Sequence, residues 1–349
     1  MGSTMRAVVY RKFGAGPELV EVPRPEPGPG QVLIEVTAAG LCHSDLAVMS
    51  RGPEAFPFGP LPLALGHESA GRVAALGAGV RGIEIGESVA VYGPWGCGRC
   101  VSCAHGRENL CPHAGGLGIR APGLGGPGGL ADYQLVDTPR HLVPLGDLDP
   151  VTSVSLTDAG LTSYHAITSA APVLTPGTSA VVVGVGGLGH VAIQILRALS
   201  AARVVAVDVD EEKLGMARRL GAAATVTAGE TAVQDVLQII GPDGAALVLD
   251  FVGSAATTEL AGAVAARGGE VRVIGAGPGA VRIGYRTTAF DVGARFPYWG
   301  SLPELHEVIA LAQTGAIRVH TERFGLDEVP AAYDRLARGE VQGRAVAVP

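Results

Sequence analysis

The 349-residue chain is 47% hydrophobic and 17% charged, and its 26 Lys and Arg against 33 Asp and Glu leave a net charge of −7. Such a length holds two domains with sizeable cores, and a charged share below the usual value of about 25% argues against a disordered or tail-like protein. No basic block occurs along the chain, which argues against nucleic acid and anionic membranes as partners.

The opening stretch MGSTMRAVVY has no apolar signal core, and no run approaches about eighteen uninterrupted apolar residues. A cytoplasmic protein that does not span a membrane is expected. Across the first 150 residues, short apolar runs such as QVLIEVTAAG, SAGRVAAL and ESVAVYG are separated by Gly and Pro, the pattern of a β-rich, barrel-like domain. The 52 glycines of the chain, about twice the typical share of roughly 7%, point to tight turns and close backbone approaches. Two segments here carry metal-ligand residue types: GLCHSDL with Cys42, and ALGHESAGRVAALGAGV with His67. Taken alone, Cys42 fits a buried apolar cysteine and His67 a hydrogen-bonded core histidine.

The stretch GPWGCGRCVSCAHGRENLCPHAGG, residues 93–116, places Cys97, Cys100, Cys103 and Cys111 in C-x2-C-x2-C-x7-C spacing. In a reducing compartment close-set cysteines bind metal rather than pair as disulfides. Four thiolates close a tetrahedral Zn2+ site and leave no open position, so the site is structural. Two disulfides or an iron–sulfur site are the alternatives, and His105 and His113 are nearby residues that a full set of four cysteines makes unnecessary.

From about residue 155 strands alternate with amphipathic helices, in SAVVVGV, GLGHVAIQILRALS, RVVAVDV and EEKLGMARRLG, which predicts a parallel sheet of βαβ units. VVVGVGGLG supplies Gly184, Gly186 and Gly189 in G-x-G-x-x-G spacing, with Gly187 and Leu188 between them. By itself that motif also fits an ordinary strand-to-helix turn. Here a strand precedes it, a helix follows, and Asp208 ends the next strand nineteen residues after Gly189, as a dinucleotide site requires. The glycines admit a pyrophosphate to a helix N-terminus, and Asp208 binds ribose hydroxyls. With Asp210, Glu211 and Glu212 following, a 2′-phosphate is repelled and NAD is expected over NADP. After about residue 291 the pattern is mixed again and ends in GRAVAVP, as if the chain returned to its first domain.

Read together, Cys42, the four-cysteine cluster and Gly66, His67, Glu68, Gly71, Gly77 and Val80 resemble the zinc-dependent alcohol dehydrogenases of the medium-chain dehydrogenase/reductase superfamily, of the bacterial secondary-alcohol type. The resemblance runs from Met5 to Pro349. It implies an α/β protein with a GroES-like β-rich catalytic domain at 1–156 and 291–349, carrying the structural zinc lobe, and a Rossmann doubly wound NAD domain at 157–290. It further implies two Zn2+ per chain, a small alcohol or ketone substrate and a homotetramer or homodimer. Cys42 and His67 become ligands of a catalytic zinc, with Asp45 orienting His67 and Glu68 behind the metal. Thr162 packs on the nicotinamide, Lys213 reaches the ribose and Arg344 the pyrophosphate, although an ordinary surface charge is the plainer reading of Lys213 and Arg344. Ser44 takes the hydroxyl proton and passes it through the cofactor ribose, with either His43 as its outlet or release through water while His43 only contacts cofactor phosphate.

The family's third catalytic ligand is often a cysteine, yet no thiol remains. The aligned position is Asp158, which suits a zinc ligand and equally an N-cap of the following helix. Ala47 stands where better-known members carry the histidine ending the proton relay, and its small size leaves room for bulky or aryl substrates. Trp95, Tyr298 and Trp299 complete the expected substrate pocket, an aromatic pair at 298–299 being equally at home in a core. The expected reaction is reversible oxidation of a secondary alcohol to a ketone. A polyol or aldehyde-type dehydrogenase, and a zinc-ribbon interaction protein on an inactive reductase fold, are the alternatives.

Overall fold

The structure, a computed structural model, describes residues 2–349 and divides into two compact units. The first comprises Met1–Asp158, Ser301–Gln313 and Val319–Pro349. At its centre is the strand Val32–Leu41, whose VLIEVTAAGL sequence is buried on nearly every residue. It pairs antiparallel with three others: Tyr133–Val136 along its first half, Glu68–Leu76 along its length and Arg344–Val348 at its end. The sheet runs in the order Leu142–Pro144, Ser88–Val91, Glu68–Leu76, Val32–Leu41, Arg344–Val348, Thr321–Gly325. A smaller sheet orders Glu18–Pro23, Thr4–Tyr10 and Leu63–Ala64. Val8, Ile34, Leu41, Val73, Val89 and Leu130 form part of the apolar core beneath, each such side chain contributing about 1.5–3 kcal/mol by leaving water.

This pairing positions the site. Gly40 faces Glu68 on one side and Val346 on the other, so residues from three distant segments meet where the central strand ends at Leu41. A side chain at Gly40 is not possible here. A Cβ built on it lies 2.3 Å from Oε2 of Glu68, far inside van der Waals contact.

The second unit comprises Ala159–Gly300 and Thr314–Arg318. Its six strands are all parallel, ordered Ala224–Thr227, Arg203–Asp208, Ser179–Val183, Ala245–Asp250, Ala265–Val273, Gly293–Arg295. In chain order that is 3-2-1-4-5-6, the doubly wound dinucleotide topology with its switch point beside the first strand. The Val-rich first strand, SAVVV, is buried throughout, as parallel strands covered on both faces must be.

The boundaries correct the expectation in detail. The joins fall at 158/159 and 300/301 rather than 156/157 and 290/291, and residues 314–318 return to the second unit. The reasons are hydrogen bonds: Gly293–Arg295 adds a sixth parallel strand, and Arg318 exchanges backbone bonds with the Gln194 amide. No helix among the described residues is long and apolar enough to cross a membrane.

Candidate active site

Cys42 leaves the central strand in an extended conformation (φ −132°, ψ 154°) and starts the helix His43–Met49. The Asp45 carboxylate turns back on that start and accepts the Cys42 backbone N–H at 3.0 Å. Its other oxygen lies 3.0 Å from Nδ1 of His67, which fixes the imidazole with Nε2 turned away from Asp45. Nε2 is 3.6 Å from Oδ2 of Asp158, and the same oxygen is 3.6 Å from Sγ of Cys42. With Zn–S near 2.3 Å and Zn–N or Zn–O near 2.1 Å, ligands at tetrahedral angles stand about 3.4–3.6 Å apart. Cys42, His67 and Asp158 therefore fit one Zn2+, and Glu68 offers a further oxygen within 4.8 Å of the other ligand atoms.

The electrostatics agree. Burial pushes the Cys42 thiol up, but the Arg344 guanidinium and His67 outweigh it and bring it below its ordinary value. Burial likewise disfavours a charged His67, yet Asp45 and Asp158 hold its pKa well above the imidazole value. A thiolate at Cys42 is the ligand form of the side chain, and the Asp45 and Asp158 carboxylates that raise His67 put negative charge around it. Glu68 pairs with Arg344 through Oε1, while its buried Oε2 has no hydrogen-bond partner among the described residues. A buried carboxylate oxygen so placed is costly unless a cation stands near it.

The four-cysteine lobe has its own geometry. Sγ separations are 3.5 Å for Cys100–Cys103 and 3.9 Å for Cys97–Cys103 and Cys100–Cys111, against about 3.8 Å for thiolates tetrahedral on Zn2+. Disulfide bonding, at about 2.05 Å, is excluded. Burial and then the Cys100 thiol push Cys103 up to about 12, whereas the Arg99 backbone amide brings Cys97 down to about 6. Four thiolates can coexist here only around a cation. His105 turns its Nδ1 to the Val101 carbonyl at 2.7 Å and is no part of the cluster. The lobe is fastened by Arg140, which pairs with buried Glu108 and donates to the Cys103 carbonyl at 2.7 Å.

In the second unit the glycine loop divides its labour. Gly184 turns the chain at φ +88°, a Cβ on Gly189 would stand 1.9 Å from the Gly184 carbonyl oxygen, and a Cβ on Gly186 would meet nothing within 4 Å. The first permits the turn, the third seats the helix Gly189–Leu199 on the strand, and the second leaves the backbone open to a ligand. Leu188 precedes that helix without any side-chain cap, and the His190 and Val191 amides donate to the Gly186 and Leu188 carbonyls. Asp208 accepts from the Val185 amide at 2.7 Å and the Asp210 amide at 3.0 Å, so its carboxylate is fixed beside the loop. Asp210 caps the next helix, and Lys213 Nζ lies 4.0 Å from it.

Comparison with known proteins gives the same result. Residues 28–147 match the alcohol dehydrogenase GroES-like domain and residues 187–312 the zinc-binding dehydrogenase domain. An NAD-dependent alcohol dehydrogenase of Sulfolobus acidocaldarius is 34% identical over 98% of this chain and 99% of its own. A D-arabinose 1-dehydrogenase (NADP+) of Saccharolobus solfataricus is 32% identical over 99% of this chain and 97% of its own. The crystal structure of the alcohol dehydrogenase from Aeropyrum pernix superposes with a TM-score of 0.91 at 33% identity, covering 99% of this chain and all of that one. The chain belongs to the zinc-dependent alcohol dehydrogenase family.

The remaining expected residues of this alcohol dehydrogenase fall as follows. Ser44 is half-buried with Oγ 3.6 Å from Cys42 Sγ, and His43 is exposed. Ala47 is half-buried on the same helix. Trp95 donates to the Tyr92 carbonyl at 2.7 Å and stacks on His141. In the second unit Thr162 is buried, Trp299 is buried at φ +53°, and Tyr298 is half-exposed against it edge to face. Arg344 is buried, its guanidinium paired with Glu68 and donating to Ser155. Sequence reading missed this pair, and it missed Tyr333, whose hydroxyl donates to Asp45 at 2.8 Å. Within the helix VPAAYDRLA that tyrosine is indistinguishable from a core aromatic.

Proposed function

We propose that this alcohol dehydrogenase interconverts secondary alcohols and ketones, including bulky or aryl ones, with NAD rather than NADP. The observation carrying the reading is that Cys42, His67 and Asp158 bring donor atoms to the spacing a tetrahedral Zn2+ would require, with a Glu68 oxygen close by. A Zn2+ there supplies a Lewis acid that lowers the pKa of the substrate hydroxyl, and NAD supplies the hydride acceptor. Asp45 holds His67 in the tautomer that ligates through Nε2. Arg344 balances Glu68, so that the buried carboxylate does not add a second uncompensated charge beside Asp158. Ser44 accepts the hydroxyl proton, and His43, exposed to water, releases it. The small side chain of Ala47, three residues after Ser44, supports acceptance of wide substrates.

A panel of secondary, aryl, primary and polyol substrates, each with NAD and NADP, tests the reading. Preference for a primary alcohol or an aldose would overturn it in favour of the polyol or aldehyde-type alternative.

Cofactor choice rests on Asp208 and the acidic residues Asp210, Glu211 and Glu212 after it. Asp208→Gly removes a charge-assisted hydrogen bond worth about 1.5–3 kcal/mol, so kcat/KM with NAD should fall about 10- to 100-fold while that with NADP holds or rises. Equal wild-type efficiency with both cofactors would refute the preference.

We also propose a homo-oligomer in the cytoplasm. Tyr285, Phe290 and Phe296 are exposed around Gly293–Arg295, an edge strand with an unpaired side, and such an edge calls for cover. All five cysteines are unpaired thiols, which suits a reducing compartment. Sedimentation should give a dimer or tetramer; a monomer at micromolar concentration would count against it.

A further inference from the structure

The Asp45 carboxylate is wholly buried and carries three hydrogen bonds. Oδ1 takes His67 Nδ1 at 3.0 Å; Oδ2 takes the Cys42 amide at 3.0 Å and the Tyr333 hydroxyl at 2.8 Å. One carboxylate thus ties together two of the metal ligands, and the third donor comes from the helix Val329–Ala337, 288 residues away. The Tyr333 ring packs in the apolar core of the first unit, a task phenylalanine does equally well. Only the hydroxyl is special to tyrosine. Burial and then the Asp45 charge hold its pKa well above the usual phenol value, so it remains an O–H donor at every working pH.

We infer that Tyr333 is a positioning residue for the catalytic metal: its hydroxyl fixes the Asp45 rotamer and draws charge toward Oδ2, which sets the aim and the donor strength of His67. Without the hydroxyl, Oδ2 keeps only the Cys42 amide and the carboxylate can swing about its χ2 torsion. The imidazole is then held less firmly. Charge returning to Oδ1 makes His67 the stronger donor, so the bound metal becomes the weaker Lewis acid. The first effect loosens zinc and the second moves hydroxyl ionisation to higher pH.

The test is Tyr333→Phe in the zinc-loaded enzyme, alone and with Asp45→Asn. Transfer of zinc to a chromogenic chelator should show one of the two ions leaving about 10-fold faster, the range of losses seen when partners behind a metal ligand are removed. The inflection of kcat against pH should move upward, with the KM for NAD unchanged. In the Asp45→Asn background the added effect of Tyr333→Phe should vanish, because both act through one carboxylate. Unchanged zinc release and pH inflection, with or without a lower melting temperature, would overturn the inference and make Tyr333 a packing residue. Full additivity with Asp45→Asn would overturn it as well. The kinetic readout rests on the alcohol dehydrogenase reading, whereas zinc release does not. A wild type inactive on every alcohol would sink that reading and leave chelator transfer to decide the role of Tyr333.

Discussion

Replacing Asp158 by asparagine should remove about one of two zinc ions per chain and abolish turnover, while NAD binding persists. Asn keeps the shape of the side chain but exchanges an anionic oxygen for a weakly donating neutral one. The remaining thiolate and imidazole make an incomplete set, since Zn2+ in an open site needs three protein ligands. Activity should fall by more than the roughly 100-fold that loss of an outer partner can cost. Cofactor binding should survive because the glycine loop and Asp208 belong to the second unit, whereas Asp158 ends the first. Metal analysis and NAD fluorescence titration on the same sample decide the matter. Full zinc with near-normal turnover would return Asp158 to a helix-capping role.

Cys103→Ser should fail earlier, at folding. Cys103 is completely buried, its carbonyl is bound by Arg140, and its Sγ lies between those of Cys97 and Cys100. Serine there exchanges a thiolate ligand for a buried hydroxyl. Structural zinc binding is worth about 10–16 kcal/mol in small zinc domains, and whole domains are stable by only about 5–15 kcal/mol. Losing even a third of the metal's contribution should lower the melting temperature by about 10 °C or more and reduce soluble yield. A variant that is stable and fully active yet lacks one zinc would contradict the structural assignment.

These two sites differ in how they are written in the sequence. The four cysteines lie within fifteen residues, from Cys97 to Cys111, so spacing alone carries the tetrahedron. The glycine loop and Asp208 are similarly local, linked by one βαβ step whose periodicity is plain. G-H-E and Cys42 become legible only as a pair, because each alone is consistent with an ordinary core residue. Asp158 came from family alignment and the exhaustion of cysteines rather than from any local pattern. Tyr333 and the Arg344–Glu68 pair are not legible because they join positions 288 and 276 residues apart, and no periodicity records a meeting of such distant segments. The domain edge was misplaced for a smaller reason: Gly293–Arg295 is three residues long, too short for any alternation to be visible.

The place of Arg344–Val348 inside the sheet, between Val32–Leu41 and Thr321–Gly325, bears on how the protein is made. A chain emerging from the ribosome can complete its four-cysteine lobe once residue 111 is free, since every ligand there is a near neighbour. The catalytic centre has no such independence. Its central strand lacks one neighbour, Glu68 lacks its counter-charge and Asp45 lacks a donor until residues 333–348 have been synthesised and inserted. Zinc thus has a local home early in translation, while the reactive one is finished only when a distant segment closes the sheet. An incomplete chain therefore lacks part of the catalytic set, and the pairing that completes it joins distant segments, a kind of contact that forms slowly.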